Sequence, residues 1–333
     1  MPWEDVKAVF RPETVHMGVM KVDAEKCTKC GLCIQNCPFK AWEKGPDDIP
    51  RQKEEYECFS CFNCMVCCPV DAVAIVDTYH VDEGVFRTEP YSLPVRMPLE
   101  PLSAQGNPDK WTPVERTIFE RRSVRNFRDR PVPETLIRRV IEAGRFAPSA
   151  GNCQPWKFIV ITNRDMINEM DEAIYRVLNM QYNTYIDDEL VKNLARGYEA
   201  NPNPGGYDPR IILGGIGSVA KRNLPPLLNS PVVILIAGDS RAISGPQLNI
   251  GICGQNMNLA ATSLGLGACW VGFSAILNMA RPIMEKLGLE SPWRIVNAIL
   301  IGYPRFKQSG MVPREYRPVT WLRNGSNTVE VEA

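Results

Sequence analysis

The chain lacks any apolar run long enough to cross a bilayer. Its longest runs, PVVILIAG (231–238) and IVNAILIG (295–302), fall far short of the roughly 20 residues a spanning helix needs. It also lacks an excess of charge of either sign: Lys plus Arg and Asp plus Glu both number 38. No global field therefore draws in nucleic acid. Histidine is scarce, with only His16 and His80. No Ser/His/Asp, Cys/His or paired-carboxylate set is evident, so hydrolytic chemistry is disfavoured. Residues 1–20 lack a secretory leader's apolar stretch, since MPWEDVKAVF carries acids there. The expectation is a cytoplasmic protein with no membrane and no nucleic-acid partner. At 333 residues the chain has room for two or three domains with a sizeable core.

What the chain has in quantity is cysteine. Cys27, Cys30, Cys33 and Cys37 precede Pro38 in a C-x2-C-x2-C-x3-C-P run, and Cys58, Cys61, Cys64 and Cys68 repeat it before Pro69. A [4Fe–4S] cube needs four soft thiolates, and x2 spacings let one tight loop reach three corners. Paired zinc sites would show two C-x2-C units separated by a long gap, and a disulfide framework would need an oxidising compartment. Neither alternative explains both prolines. Cys67 is left over, and reads as a buried spectator thiol. Residues 18–80 resemble a bacterial-type 2×[4Fe–4S] ferredoxin. That resemblance implies that the fourth cysteine of each run serves the other cube. Cys27, Cys30, Cys33 and Cys68 would then hold one cluster, and Cys58, Cys61, Cys64 and Cys37 the other. Residues 20–80 carry 7 Lys/Arg against 10 Asp/Glu; such an acidic face either steers a basic redox partner or is a plain solvated surface.

Prolines 90, 94, 98, 101, 108 and 113 punctuate residues 81–113 without helical or strand period. This reads as a semi-extended linker that can wrap along a surface. Beyond it, helix and strand alternate. A stripe of Leu136, Ile137, Val140 and Ile141 follows Pro133; strands are expected at 156–162, 232–239, 269–274 and 294–303, and helices at 163–180, 248–267 and near 277–287. A short helix near 186–198 and an irregular lobe with NPNPGGYDP complete the expectation. The domains expected are thus 1–80, the linker 81–113, and 114–333.

Three separated pieces of the last domain carry a further likeness: RRSVRNF (121–127), APSAGNCQPWKF (147–158) and GLGACWVGF (265–273), followed by IGYP and REYRP (314–318). In that order they resemble the FMN-dependent nitroreductase family over residues 114–322. The fold class expected is therefore α+β, a ferredoxin-like 2×[4Fe–4S] domain fused to a nitroreductase-like α/β sandwich. The resemblance implies a homodimer with FMN at the subunit interface. A phosphate dianion suits guanidinium forks and a hydroxyl. Arg121, Ser123 and Arg125 alternate and share one side if extended, while Arg122 points away. By the family pattern a C-terminal basic residue completes the phosphate site, Arg317 being favoured over Arg314. Pro148, Ser149 and Asn152 would line the flavin from the partner subunit, and Gln154-Pro155-Trp156 would anchor the turn into the next strand. Val271 and Gly272 match the loop whose backbone meets flavin N5, and Trp270 either packs near the ring or belongs to the core. The family often has an acidic residue at position 271 or near 249, where this chain has Val271 and Asn249, so substrate preference does not carry over. RIILGGIGSVA (210–220) with Asp239 mimics a dinucleotide fingerprint, but Pro225-Pro226 interrupts the helix it would need.

The fusion suggests an oxidoreductase. A one-electron donor such as ferredoxin would load the cubes, and FMN would reduce a nitroaromatic, a quinone or an activated alkene. The alternatives are an NAD(P)H-dependent enzyme with the clusters as electron outlet, and a non-enzymatic relay or sensor.

Overall fold

A computed structural model of the chain describes residues 15–58, 60–82, 87–88, 93–193, 211–324 and 329–332. The cysteine-rich part is built from β1 (Val15–His16), β2 (Val19–Val22), the helical turn α1 (Leu32–Asn36), β3 (Trp42–Lys44), β4 (Pro50–Gln52), the turn α2 (Asn63–Cys67), β5 (Val73–Asp77) and β6 (His80–Val81). β2 pairs antiparallel with β5, β3 with β4, and β1 with β6. The sequence repeat has an offset of 31 residues, and the backbone obeys it. Lys29 and Ser60, Gly31 and Phe62, and Lys40 and Asp71 all take left-handed φ values between 51 and 67°. Both cysteine loops thus turn the same way. Met20, Trp42, Phe62, Met65 and Val73 pack with the cysteines as a small core.

The larger part follows with α3 (Pro113–Glu120), α4 (Glu134–Arg145), β7 (Trp156–Ile161), α5 (Arg164–Ile186), a π-turn over Ile211–Ile216, α6 (Gly217–Ala220), β8 (Val232–Asp239), α7 (Pro246–Ser263), β9 (Gly267–Val271), a 3-10 stretch over Gly272–Met279, α8 (Arg281–Lys286) and β10 (Trp293–Gly302). β11 (Val319–Leu322) and β12 (Val329–Glu332) make a terminal hairpin. The main sheet has the order β7-β8-β10-β9, with every neighbour antiparallel. The continuous apolar run of β8 is explained by its central place. Val233, Leu235 and Ala237 face a core built with α5, whereas Val232, Ile234 and Ile236 face one built with α4 and α7. Burial on both faces removes the polar alternation that a half-solvated strand shows.

Expected and observed elements differ mainly at ends. Asn163 caps α5 by accepting from the Met166 N–H at 2.8 Å, and the helix then runs to Ile186, six residues past the expected end. The strand expected at 269–274 stops at Val271. α3 was not expected at all, although Thr112 and Glu115 form a reciprocal capping box there that the T-x-x-E pattern could have signalled. The dinucleotide look-alike is no strand–loop–helix: Gly215 lies in the π-turn and Gly217 opens α6. The NPNPGGYDP lobe and part of the short helix near 186–198 lie outside the described residues.

Two positions carry energetic predictions. Gly254 in α7 lies under the Trp270 ring, where an added Cβ would stand 1.7 Å from Trp270 Cζ3. Gly254→Ala should therefore destabilise by about 1–3 kcal/mol through overpacking. Thermal unfolding should show a Tm several degrees lower, and an unchanged Tm would mean that the ring is not seated there. Asp171 in α5 accepts from the Leu227 N–H at 2.6 Å. Burial, opposed by that hydrogen bond and by Arg164, pushes its carboxyl up to about 6. An acid whose pKa rises on folding favours the folded state most when protonated, so this contribution fades as pH rises from about 4 to about 6. Asp171→Asn should flatten that window and leave the protein about 1–2 kcal/mol more stable at pH 8, allowing for partial solvent screening. Denaturant unfolding at pH 4 and pH 8 measures the difference.

Candidate functional site

The structure gathers the eight cysteines into two groups. Cys27, Cys30, Cys33 and Cys68 line one small cavity whose walls include Val22, Leu32 and Val73. Cys37, Cys58 and Cys64 form a second group around Cys61, which raises the pKa of all three after burial has done so more strongly. Burial pushes Cys33 and Cys58 up to about 12 and Cys37 up to about 11. Such thiols stay protonated unless a soft cation takes the thiolate and releases the proton. Backbone amides already point at the sulfurs. Ala41 donates to Cys37 Sγ at 3.4 Å and Ala72 to Cys68 Sγ at 3.2 Å, each four residues beyond its cysteine. Apolar walls, four thiols per group and N–H···S bonds make a donor set that fits an iron–sulfur cube. Cys67 is not a wall residue of the first cavity, but it lies beside both groups and raises the pKa of Cys33 and of Cys64. Its Sγ donates to the Cys64 carbonyl at 3.4 Å and it is 3% exposed.

The arginine segment is laid down by β9. The Val124 N–H donates to the Ala268 carbonyl at 2.9 Å and the Arg128 N–H to the Tyr303 carbonyl at 2.8 Å, so residues 121–128 run extended along the sheet. Val124 is buried against Gly267, where a Cβ would meet it at 2.8 Å. Alternation then places Arg121, Ser123 and Arg125 opposite Val124. Arg121 is held below the usual guanidinium range by burial, then by Arg314 and Arg125 beside it. Ser123 hydrogen-bonds Cys269, which also feels both arginines. Among the described residues, none of Arg121, Arg125 and Arg314 pairs with a carboxylate. Arg121 and Arg314 line a cavity of about 350 Å³ together with Arg96, Ile118 and Gln255. Glu315 also lines this cavity but pairs with Arg317, which leaves three crowded guanidinium groups arranged for an anion.

Other site residues fall in different places. Arg317 pairs with Glu315 at 2.6 Å and is 72% exposed, so Arg314, and not the favoured Arg317, joins the cluster. Arg122 does point away, but it is half-buried: it donates to the Glu120 and Gly310 carbonyls at 2.5 Å and borders a separate cavity of about 590 Å³ on the other face. Trp270 packs with the α4–α7 core, on the sheet face opposite Cys269 and Val271; of its two readings the geometry takes the core one. Val271 is buried and ends β9, while Gly272 is exposed with only Asn297 Nδ2 within 4 Å of an added Cβ. Its backbone can therefore be approached closely. Pro148 to Gln154 form an exposed loop in which Ser149 Oγ accepts from the Gln154 N–H at 3.0 Å. Gly151, Asn152 and Gln154 have φ of 58, 53 and 46°. Among the described residues, no hydrogen bond of this loop reaches the arginine cluster within one chain.

The contacts that join the two halves escaped the sequence reading. Asn126 Nδ2 donates to Asn36 O and Oδ1 at 3.2 and 3.1 Å. Asn36 is 1% exposed and adjoins Cys37. The Ser309 N–H donates to the Val66 carbonyl at 2.8 Å. Glu57 takes the Ser218 hydroxyl at 3.0 Å and pairs with Lys221. The linker lies against both parts: Val95 bridges Arg314, and Arg96 pairs with Asp71. Because Asn36 precedes Cys37 and Asn126 follows Arg125, the bonds between the two asparagines set the second cysteine group beside the arginine segment.

A helix-flanked antiparallel sheet that carries a guanidinium-lined cavity beside grouped thiols is suited to hold an anionic cofactor next to metal clusters. Comparison with known proteins gives the family. The nitroreductase family profile matches residues 118–303 and a 4Fe–4S binding domain matches residues 20–43. The chain belongs to the nitroreductase family and is an oxidoreductase. It is 28% identical over 200 residues to the 4-nitrobenzoate reductase of Pseudomonas putida, covering 56% of this chain and 83% of that protein. It is 43% identical over 57 residues to an NADH dehydrogenase of Thermus thermophilus, covering 17% of this chain and 28% of that one. Among solved structures it is similar to a nitroreductase with bound FMN from Desulfitobacterium hafniense, with 22% identity, a TM-score of 0.45, and coverage of 62% of this chain and 96% of the other. Among the described residues no helix is long and apolar enough to cross a membrane.

Proposed function

We propose that this chain is an iron–sulfur flavoprotein that passes electrons from a one-electron donor such as ferredoxin, through two [4Fe–4S] clusters, to FMN and on to a small organic acceptor: a nitroaromatic, a quinone or an activated alkene. Cys27, Cys30, Cys33 and Cys68 are the ligands assigned to one cluster, and Cys37, Cys58, Cys61 and Cys64 to the other. Arg121, Ser123, Arg125 and Arg314 bind the FMN phosphate. Gly272 offers an open backbone to the ring, and Pro148, Ser149 and Asn152 serve the partner's flavin in a homodimer. When bound, the cubes and FMN supply the exchange between one-electron and two-electron carriers. The polypeptide holds the two sites at a fixed distance. Asn36 and Asn126 clamp the loop of Cys37 to the loop of Arg125, and Glu57 fixes the opposite side through Ser218 and Lys221.

The observation that carries this reading is the adjacency of the second cysteine group to the arginine segment: Asn126, next to Arg125, donates to Asn36 O and Oδ1 at 3.2 and 3.1 Å, and Asn36 is next to Cys37. A likeness to an NADH dehydrogenase favours the second reading, in which NAD(P)H reduces the flavin and the clusters carry electrons outward. Cofactor analysis tests the common ground. Anaerobically prepared protein should hold about eight irons and about one FMN per chain. Iron near four per chain would sink the two-cluster assignment.

A further inference from the structure

Two histidines lie far along the sequence from one another and outside the flavin-binding part. The fold makes them neighbours. β1 pairs antiparallel with β6 so that His16 stands directly opposite His80 and Val15 opposite Val81. Val81 is 1% exposed and takes the inward side of its strand. His80 and Asp82 flank it at a spacing of two, which puts both on the other side. Register alone therefore assembles His16, His80 and Asp82 on one face.

Their geometry is specific. The two imidazoles stack at 4.6 Å between centroids with 11° between planes. Both turn Nε2 to the same carboxylate: His16 Nε2 lies 2.5 Å from Asp82 Oδ2 and His80 Nε2 lies 3.3 Å from Asp82 Oδ1. One ligand atom from each of the three residues falls within 4.8 Å of the others. Donors about 2.1 Å from a tetrahedral zinc ion stand roughly 3.4 Å apart, so small side-chain adjustments suffice. The far side of His80 is fixed as well. Its Nδ1 is 2.7 Å from the Thr78 carbonyl; a carbonyl only accepts, so Nδ1 carries the hydrogen. Nε2 is thus the ring nitrogen that faces the Asp82 carboxylate, and Asp77 Oδ1 stands 3.8 Å from Nδ1 on the far side. A histidine that donates its other N–H to a backbone carbonyl also has the outer support usual for a metal ligand.

We propose that His16, His80 and Asp82 form a zinc site that clips the first strand of the cysteine-rich domain to its last. Two imidazoles and one carboxylate suit zinc, with water in the fourth position, whereas calcium and magnesium prefer all-oxygen shells. The clip closes a loop around both cysteine runs and holds the strand that leads into the linker. It is independent of the flavin reading.

The test uses the full chain with its clusters loaded and iron measured throughout. The protein is treated with EDTA, exchanged into buffer, given zinc chloride and passed through gel filtration. The expected result is about one retained zinc per chain, with X-ray absorption showing only nitrogen and oxygen neighbours near 2.0 Å. His80→Ala and Asp82→Asn should each lower zinc affinity at least about tenfold and leave iron unchanged. Zinc that is not retained, zinc with sulfur neighbours near 2.3 Å, or equal retention in both variants would each overturn the proposal. The absorption measurement on the unaltered chain stands even if a variant folds poorly.

Discussion

Cys61→Ser is expected to cut the iron content of the chain by about half, from about eight to about four, and to slow flavin reduction by reduced ferredoxin at least about tenfold. Cys61 lies with Cys37, Cys58 and Cys64, whose thiols its proximity pushes further up, so its loss strikes one group and leaves Cys27, Cys30, Cys33 and Cys68 around their own cavity. Serine offers a harder oxygen donor that a [4Fe–4S] cube holds poorly. Cys67→Ser is the internal control. Its sulfur is occupied with the Cys64 carbonyl, and the variant should keep all its iron. Loss of a cluster in the Cys67 variant would show that the ligand register is shifted by one.

Arg125→Ala should weaken FMN binding by roughly ten- to a hundredfold while leaving iron unchanged. A charge-assisted hydrogen bond to phosphate is worth about 1.5–3 kcal/mol, and each 1.4 kcal/mol is about tenfold in affinity. Arg314→Ala should behave in the same way, because Arg314 shares the cluster with Arg121. Arg317→Ala should leave affinity nearly unchanged, since its guanidinium is exposed and already paired with Glu315. FMN titration by fluorescence quenching reads all three. An Arg317 variant as weak as the Arg314 variant would return the phosphate role to Arg317, and parental affinity in Arg125→Ala would make that arginine a surface charge.

Much of this arrangement is legible in the chain because metal and phosphate chemistry impose rigid spacing. The x2 steps between cysteines and the alternation in RRSVRNF each follow from a local period. The order of Arg314 and Arg317 was not legible, because it depends on where Glu315 turns and on how Val95 of the linker bridges Arg314. The sequence around Trp270 suits a core or a flavin-side ring equally; what decides is the glycine at 254 beneath it, 16 residues away in another element. The docking of the two halves left no local signature. Asn36, Asn126, Glu57 and Ser218 are ordinary polar residues in sequence and become partners only when tertiary structure brings positions 90 to 161 residues apart into contact. Antiparallel order in the main sheet was likewise hidden, since alternating helices and strands ordinarily point to a parallel sheet, whereas every neighbour pair here is antiparallel.

The most direct test is anaerobic rapid mixing of the oxidised full-length protein with reduced ferredoxin or with NADPH, followed at cluster and flavin absorbance together. Ferredoxin is expected to bleach the clusters before the flavin, and Cys61→Ser to remove the fast flavin phase. Fast bleaching of the flavin by NADPH ahead of the clusters, with ferredoxin-driven reduction unaffected by Cys61→Ser, would contradict this expectation.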